Sequence, residues 1–131
     1  MEKRLYKRIV VRLIGNFIVL DNNPGLREFS GVISDICENG IKISISDESF
    51  SHIVQSIEIG SKIAFQAIDE YEMYGEDRTD IFSGESEVIR IENEDESTII
   101  GCKMTKSSTE FDEYVKNKKM SLYMESGYIL P

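Results

Sequence analysis

Two short stretches hold the residues best suited to chemistry. One is the basic opening MEKRLYKR, in which Arg4 and Arg8 stand four positions apart. The other is Asp35-Ile36-Cys37-Glu38-Asn39-Gly40, which sets a carboxylate, a thiol and a glycine at i, i+2 and i+5 inside an alternating apolar run. A guanidinium is a planar fork that donates in pairs to anion oxygens and lays its flat face on purines. An ionised carboxylate only accepts, so Asp35 suits a ligand with N–H donors. Together the two stretches read as halves of one site for a flat, negatively charged, purine-like molecule. Each also has an ordinary alternative: a solvated basic arm, an aspartate bonding its own turn, and a small cysteine facing a core.

No other group of residues competes. Cys37 and Cys102 lack CxxC spacing, and His52 is the single histidine. One histidine and two distant cysteines do not make a zinc site, and two cysteines in a chain without a secretion signal read as free thiols. No Ser/His/Asp arrangement of recognisable spacing is present. The expectation is a binding protein, not an enzyme, without metal or cofactor.

Charge sharpens this reading. Residues 1–12 hold Lys3, Arg4, Lys7, Arg8 and Arg12 against Glu2, a balance of +4, within a chain of net charge −9. The other 119 residues therefore balance at −13, with 10 of the 15 basic and 23 of the 24 acidic side chains. Such a body repels nucleic-acid polymers but leaves room for a compact anion at one basic spot. Arg12 lies inside an apolar run and is expected on the outer face of a strand. There is no apolar run of membrane-spanning length and no cleavable signal, so no membrane insertion and a cytoplasmic location are expected.

The elements that must hold these residues follow from hydrophobic period. Residues 8–20 read as a strand kinked or divided at Gly15-Asn16, and DNNPG at 21–25 as a turn. Residues 29–36 alternate, with Val32 and Ile36 bracketing polar positions. Glu38-Asn39-Gly40 reads as a turn in which Asn39 and Gly40 tolerate positive φ. Ile41, Ile43 and Ile45 share one face of the next strand. Residues 47–57 read as a helical turn or an irregular connection. Residues 61–74, 81–92 and 97–104 read as further strands. Phe111, Tyr114 and Val115 then fall at helical spacing, after a capping box Ser107-x-x-Glu110, with Lys116, Lys118 and Lys119 suited to the helix C-terminus. The sum is an all-β fold: a small six- or seven-stranded antiparallel barrel with a C-terminal helix to cover one end or face.

The motifs now carry a resemblance. Arg4-Leu5-Tyr6-Lys7-Arg8 fits RxxxR, and Asp35 to Gly40 fits [D/N]xSxxG with cysteine in place of serine. In this order, with GVISDICENGIKI and IIGCKM around them, they resemble the PilZ domain family over residues 3–120. The chain length predicts a single domain across residues 1–131, of which the resemblance leaves the last ten or so unaccounted for. It divides into a flexible basic arm at 1–8, a six-stranded barrel at 9–104, a helix at 107–120 and a tail at 121–131. The resemblance implies a receptor for cyclic di-GMP, with Arg4, Arg8, Asp35, Cys37 and Gly40 as ligand residues. The arginines would meet phosphates and guanine edges, and Asp35 the guanine N1–H and N2–H2 donors. The implied output runs through a downstream protein partner, with homodimer formation left open. A thiol hydrogen-bonds weakly, so Cys37 in place of serine is expected to cost about 0.5–1.5 kcal/mol, a threefold to tenfold loss of affinity. The competing reading is a PilZ-like protein–protein adaptor that binds no nucleotide. An unrelated barrel for anionic polymers conflicts with the acidic body.

Overall fold

The computed structural model describes residues 9–20, 27–37, 39–69 and 81–125, with side chains as far as residue 120. Among the described residues six strands form: β1 (Ile9–Leu20), β2 (Arg27–Cys37), β3 (Gly40–Ile45), β4 (Lys62–Asp69), β5 (Ile81–Glu94) and β6 (Ser97–Ser107). All neighbours are antiparallel, and the sheet closes on itself in the order β1-β2-β3-β6-β5-β4. Closure leaves no free sheet edge, which a small all-β protein must otherwise protect. The fold is thus the six-stranded form of the expected barrel, with the expected helix, α2 (Thr109–Glu125), after it.

Alternation fills the barrel. Ile41, Ile43 and Ile45 on β3 are all buried, joined by Phe17, Phe29, Ile33, Ile63, Phe65, Val88 and Ile100 from the other strands. Phe17 stacks on Phe29 at 5.1 Å between ring centroids and leans on Phe65 at 6.2 Å. Gly15 does not break β1, as its sequence suggests; β1 is one strand of 12 residues. The glycine instead makes room, since a methyl group there would stand 2.9 Å from Phe17 Cζ.

On β2 the alternation slips. An irregularity in pairing between Ile33 and Asp35 gives β2 one residue more than β3 at that point. Ile33 and Ile36 therefore both face inward, while Val32, expected to share a face with Ile36, is only half-buried. Such a bulge re-aims a side chain, and here it is Asp35 that is turned outward.

Helix α2 seals one end of the barrel. Phe111, Tyr114 and Val115 are buried as their spacing predicts. Phe111 meets Phe65 edge-on at 6.0 Å, and Tyr114 lies 4.4 Å from Phe82. The Tyr114 hydroxyl donates to Asp69, which is 2% exposed, and Lys118 Nζ stands 3.7 Å from the same carboxylate. The helix start is displaced from its expected place. Ser107 still belongs to β6, and Ser108 is the cap, its Oγ accepting from the Phe111 N–H at 3.1 Å. Ser107 Oγ donates instead to Asp112 Oδ1 at 2.8 Å. Because α2 runs on to Glu125, its last turn holds no basic residue, and Lys118 serves the buried Asp69 in place of the helix dipole.

Residues 47–57 form a 3-10 turn, Glu48–Phe50, and one turn of helix, α1 (Ser51–Val54). Asp47 caps the first of these, accepting from Ser49 N–H at 2.9 Å. That backbone hydrogen bond holds the Asp47 carboxyl below its ordinary pKa.

Candidate functional site

Asp35, Cys37 and Gly40 come together on the outside of the barrel, around an open cavity of about 350 Å3. Its walls are β2, β3, β6 and β5, and its charged lining is Asp35, Lys42, Arg90 and Lys103. The registers explain the grouping. Val10 pairs with Asp35, Asp35 with Lys42, Lys42 with Gly101 and Gly101 with Arg90, so one row crosses five strands. Cys37 pairs with Gly40 and Gly40 with Lys103 two positions along, beyond the inward-facing row of Ile36, Ile41 and Cys102.

Three of the predicted residues, Asp35, Cys37 and Gly40, have a definite setting. Asp35 is partly exposed, with Lys42 Nζ 3.9 Å from Oδ2. At that separation the pair is loose and gives way easily to a better donor. Cys37 is half-buried at the rim, not inside the barrel, and its Sγ donates to Asn39 Oδ1 at 3.1 Å. Gly40 opens β3, and neither it nor Asn39 adopts positive φ; among the described residues Asp95 and Gly60 do. What glycine supplies at position 40 is close approach: a methyl group would stand 3.0 Å from the Cys102 carbonyl oxygen. The Asn39 carbonyl accepts from the Met104 N–H at 2.8 Å, tying the turn to β6.

Arg4 and Arg8 lie outside the described residues. The described residues begin directly after Arg8. Arg8 precedes Ile9, whose strand partner is Ile36, and Val10 is the partner of Asp35. Arg12 is exposed on β1, as expected.

The cavity also contains residues that sequence patterning did not single out. Lys42, Arg90 and Lys103 bring three cations against one lining carboxylate. Arg90 Nε pairs with Glu92 at 3.1 Å and Lys103 with Glu87 at 3.2 Å, both from outside the lining. Ile89 is 54% exposed on the same wall, because a second bulge separates Val88 from Arg90. Lys42 was within reach of sequence reasoning, since a tight turn fixes its register opposite Asp35. Arg90 was not: it is 55 positions away, and only barrel closure brings it near. Beneath the site, burial pushes the Cys102 thiol up to about 11, despite a hydrogen bond with Ser86.

A larger groove of about 510 Å3 runs along the β1–β4–β5 side, lined by Asn16, Gln66, Gly84 and Lys106 among others. None of the sequence-predicted residues borders it. Among the described residues no cluster of His, Cys, Asp and Glu could hold a metal ion, and no helix is long and apolar enough to cross a membrane.

Comparison with known proteins agrees with the fold. No family model and no curated protein sequence matches the chain. Among solved structures it is similar to the Bacillus subtilis inhibitor of motility MotI/DgrA, at a TM-score of 0.64 and 16% identity. That alignment covers 92% of this chain and 53% of the other, so the chain spans about half the length of MotI/DgrA. It is also similar to the PilZ domain of YcgR from Escherichia coli, solved with c-di-GMP, at a TM-score of 0.59 and 12% identity over 98% of this chain and 100% of that one. The chain thus folds as a PilZ-like domain.

Proposed function

We propose that the protein is a receptor for cyclic di-GMP that signals, without catalysis, through a partner protein in the cytoplasm. The observation that carries this reading is the meeting of Asp35, Cys37 and Gly40 at one open cavity rich in cations, directly beside the strand that continues from Arg8. Asp35 would exchange its loose partner Lys42 for the N1–H and N2–H2 of a guanine. Arg4 and Arg8 would grip phosphate oxygens and guanine edges from the arm. The fold shared with a domain solved in the presence of this ligand supports the choice of dinucleotide. Ligand would act by population shift, favouring arrangements of the arm over the barrel and so the surface a partner meets.

Calorimetric titration with cyclic di-GMP tests this. Wild type should bind at micromolar concentration or tighter, and Arg4→Ala, Arg8→Ala and Asp35→Ala should each lose binding. Absence of heat for wild type would discard the receptor and leave the nucleotide-free adaptor.

A further inference from the structure

The β5 wall of the cavity holds an arginine in an unusual posture. In the row Asp35–Lys42–Gly101–Arg90, Gly101 is the position without a side chain, and Arg90 folds across it. A methyl group at Gly101 would stand 3.5 Å from Arg90 Cβ, 3.6 Å from Nε and 3.7 Å from Nη2. Atoms from the stem to the end of the guanidinium are thus nearly equidistant from one point on the cavity floor. The side chain lies down along the sheet instead of standing out into water. Glu92 pins its Nε at 3.1 Å, and the bulge between Val88 and Arg90 sets the exposed Ile89 beside it. The side chain is nevertheless 47% exposed, so the face turned away from Gly101 is open.

We propose that Arg90, seated on Gly101 and steadied by Glu92, is a stacking platform for a second purine of the bound ligand. This rests on the receptor reading above and adds to it a residue outside both sequence motifs. Three strand spacings, about 14 Å, separate the Asp35 and Arg90 backbones, and two, about 10 Å, separate Asp35 from Gly101, over which the guanidinium lies. One side chain therefore cannot serve both ends of a dinucleotide. Asp35 takes the edge of one guanine, while Arg90 offers its plane, with Ile89 as apolar margin, to the other. A flat cation attracts a purine face as it does an aromatic ring, and lysine at the same place would keep the charge but lose the plane.

The test is titration of the full chain with cyclic di-GMP in four forms: wild type, Asp35→Ala, Arg90→Ala and Arg90→Lys, with thermal unfolding of each in the absence of ligand. Both Arg90 variants should bind at least about fivefold more weakly than wild type, the lower range for loss of one stacked base, with unfolding midpoints unchanged. Wild-type affinity in Arg90→Lys would overturn the platform, because charge alone would then suffice. Full affinity in both Arg90 variants, with binding lost in Asp35→Ala, would overturn the platform and leave the receptor reading standing. Silence of the wild type would remove both.

Discussion

Cys37 occupies the position where the motif it resembles has serine, and its geometry says how much the exchange matters. The thiol is spent on Asn39 Oδ1, within its own turn, rather than aimed freely into the cavity. A hydroxyl in the same place would make the same bond better, so Cys37→Ser should bind cyclic di-GMP as tightly as wild type or up to about tenfold tighter. A variant that binds more weakly by calorimetry would mean that the sulfur itself is needed. The two thiols should also differ in chemistry. Cys37 is half-exposed, whereas Cys102 is 3% exposed with its pKa pushed up to about 11. Ellman's reagent at pH 8 should modify one thiol quickly and the second only on unfolding, and cyclic di-GMP should slow the first reaction. The raised Cys102 value also sets a direction for stability. The unfolded thiol ionises near its ordinary 9.0, the folded one only near about 11. Its contribution is complete below pH 9 and is lost as pH rises towards 11, because only the unfolded state gains by releasing the proton. Unfolding in urea at pH 8 and pH 10 should show the lower midpoint at pH 10, and the difference should shrink in Cys102→Ala.

At the level of elements, period was legible and irregularity was not. The isoleucines of β3 and the Phe111, Tyr114, Val115 stripe of α2 announce their faces, because burial imposes a regular repeat on regular backbone. The bulges at Ser34 and Ile89 leave no such trace: each shifts the repeat by one residue, and either stretch reads locally as slightly imperfect alternation. Yet these bulges turn Asp35 and Arg90 onto the cavity, so the fold was easier to read than the site. Half of the candidate site was legible as a grouping, because the turn at Gly40 makes Asp35 and Cys37 local. The other half, Gly101 and Arg90, depends on pairings of β6 with β3 and β5 that no short window contains. The helix start failed by one residue for a related reason, since β6 runs on through Ser107 and hands the cap to Ser108. The seal that α2 forms carries its own prediction. Phe111 is fully buried against Phe65, and Phe111→Ala should cost about 3–5 kcal/mol. Tyr114→Phe strips one donor from the buried Asp69 and should cost about 1–3 kcal/mol. Urea titration should show both losses as lower midpoints with an unchanged slope. A Phe111→Ala midpoint equal to wild type would mean that the helix is not needed to close the barrel.

For the whole molecule, an anion-binding role must be squared with a net charge of −9. The answer lies in distribution. The first 12 residues balance at +4, and three more cations line the cavity beside which that segment joins the barrel. A small ligand samples this local field, whereas a long polyanion must also lie against a body that balances at −13. Range then separates the two kinds of partner. The Debye length is about 10 Å at 0.1 M salt and about 3 Å at 1 M, so distant acidic residues are screened first and close contacts last. Cyclic di-GMP should therefore lose only part of its affinity between 0.1 M and 0.5 M salt, because the contacts proposed for it at Asp35 and the arginines would be short-ranged and partly directional. Duplex DNA of mixed sequence should not be retained even at 0.1 M salt, where the repulsion is still felt. Calorimetry across that salt range, beside an electrophoretic mobility assay with labelled duplex, measures both. DNA retention at 0.1 M that disappears steeply with salt and is not displaced by cyclic di-GMP would show that the basic segment serves a polyanion, and the assignment to a small messenger would have to be given up.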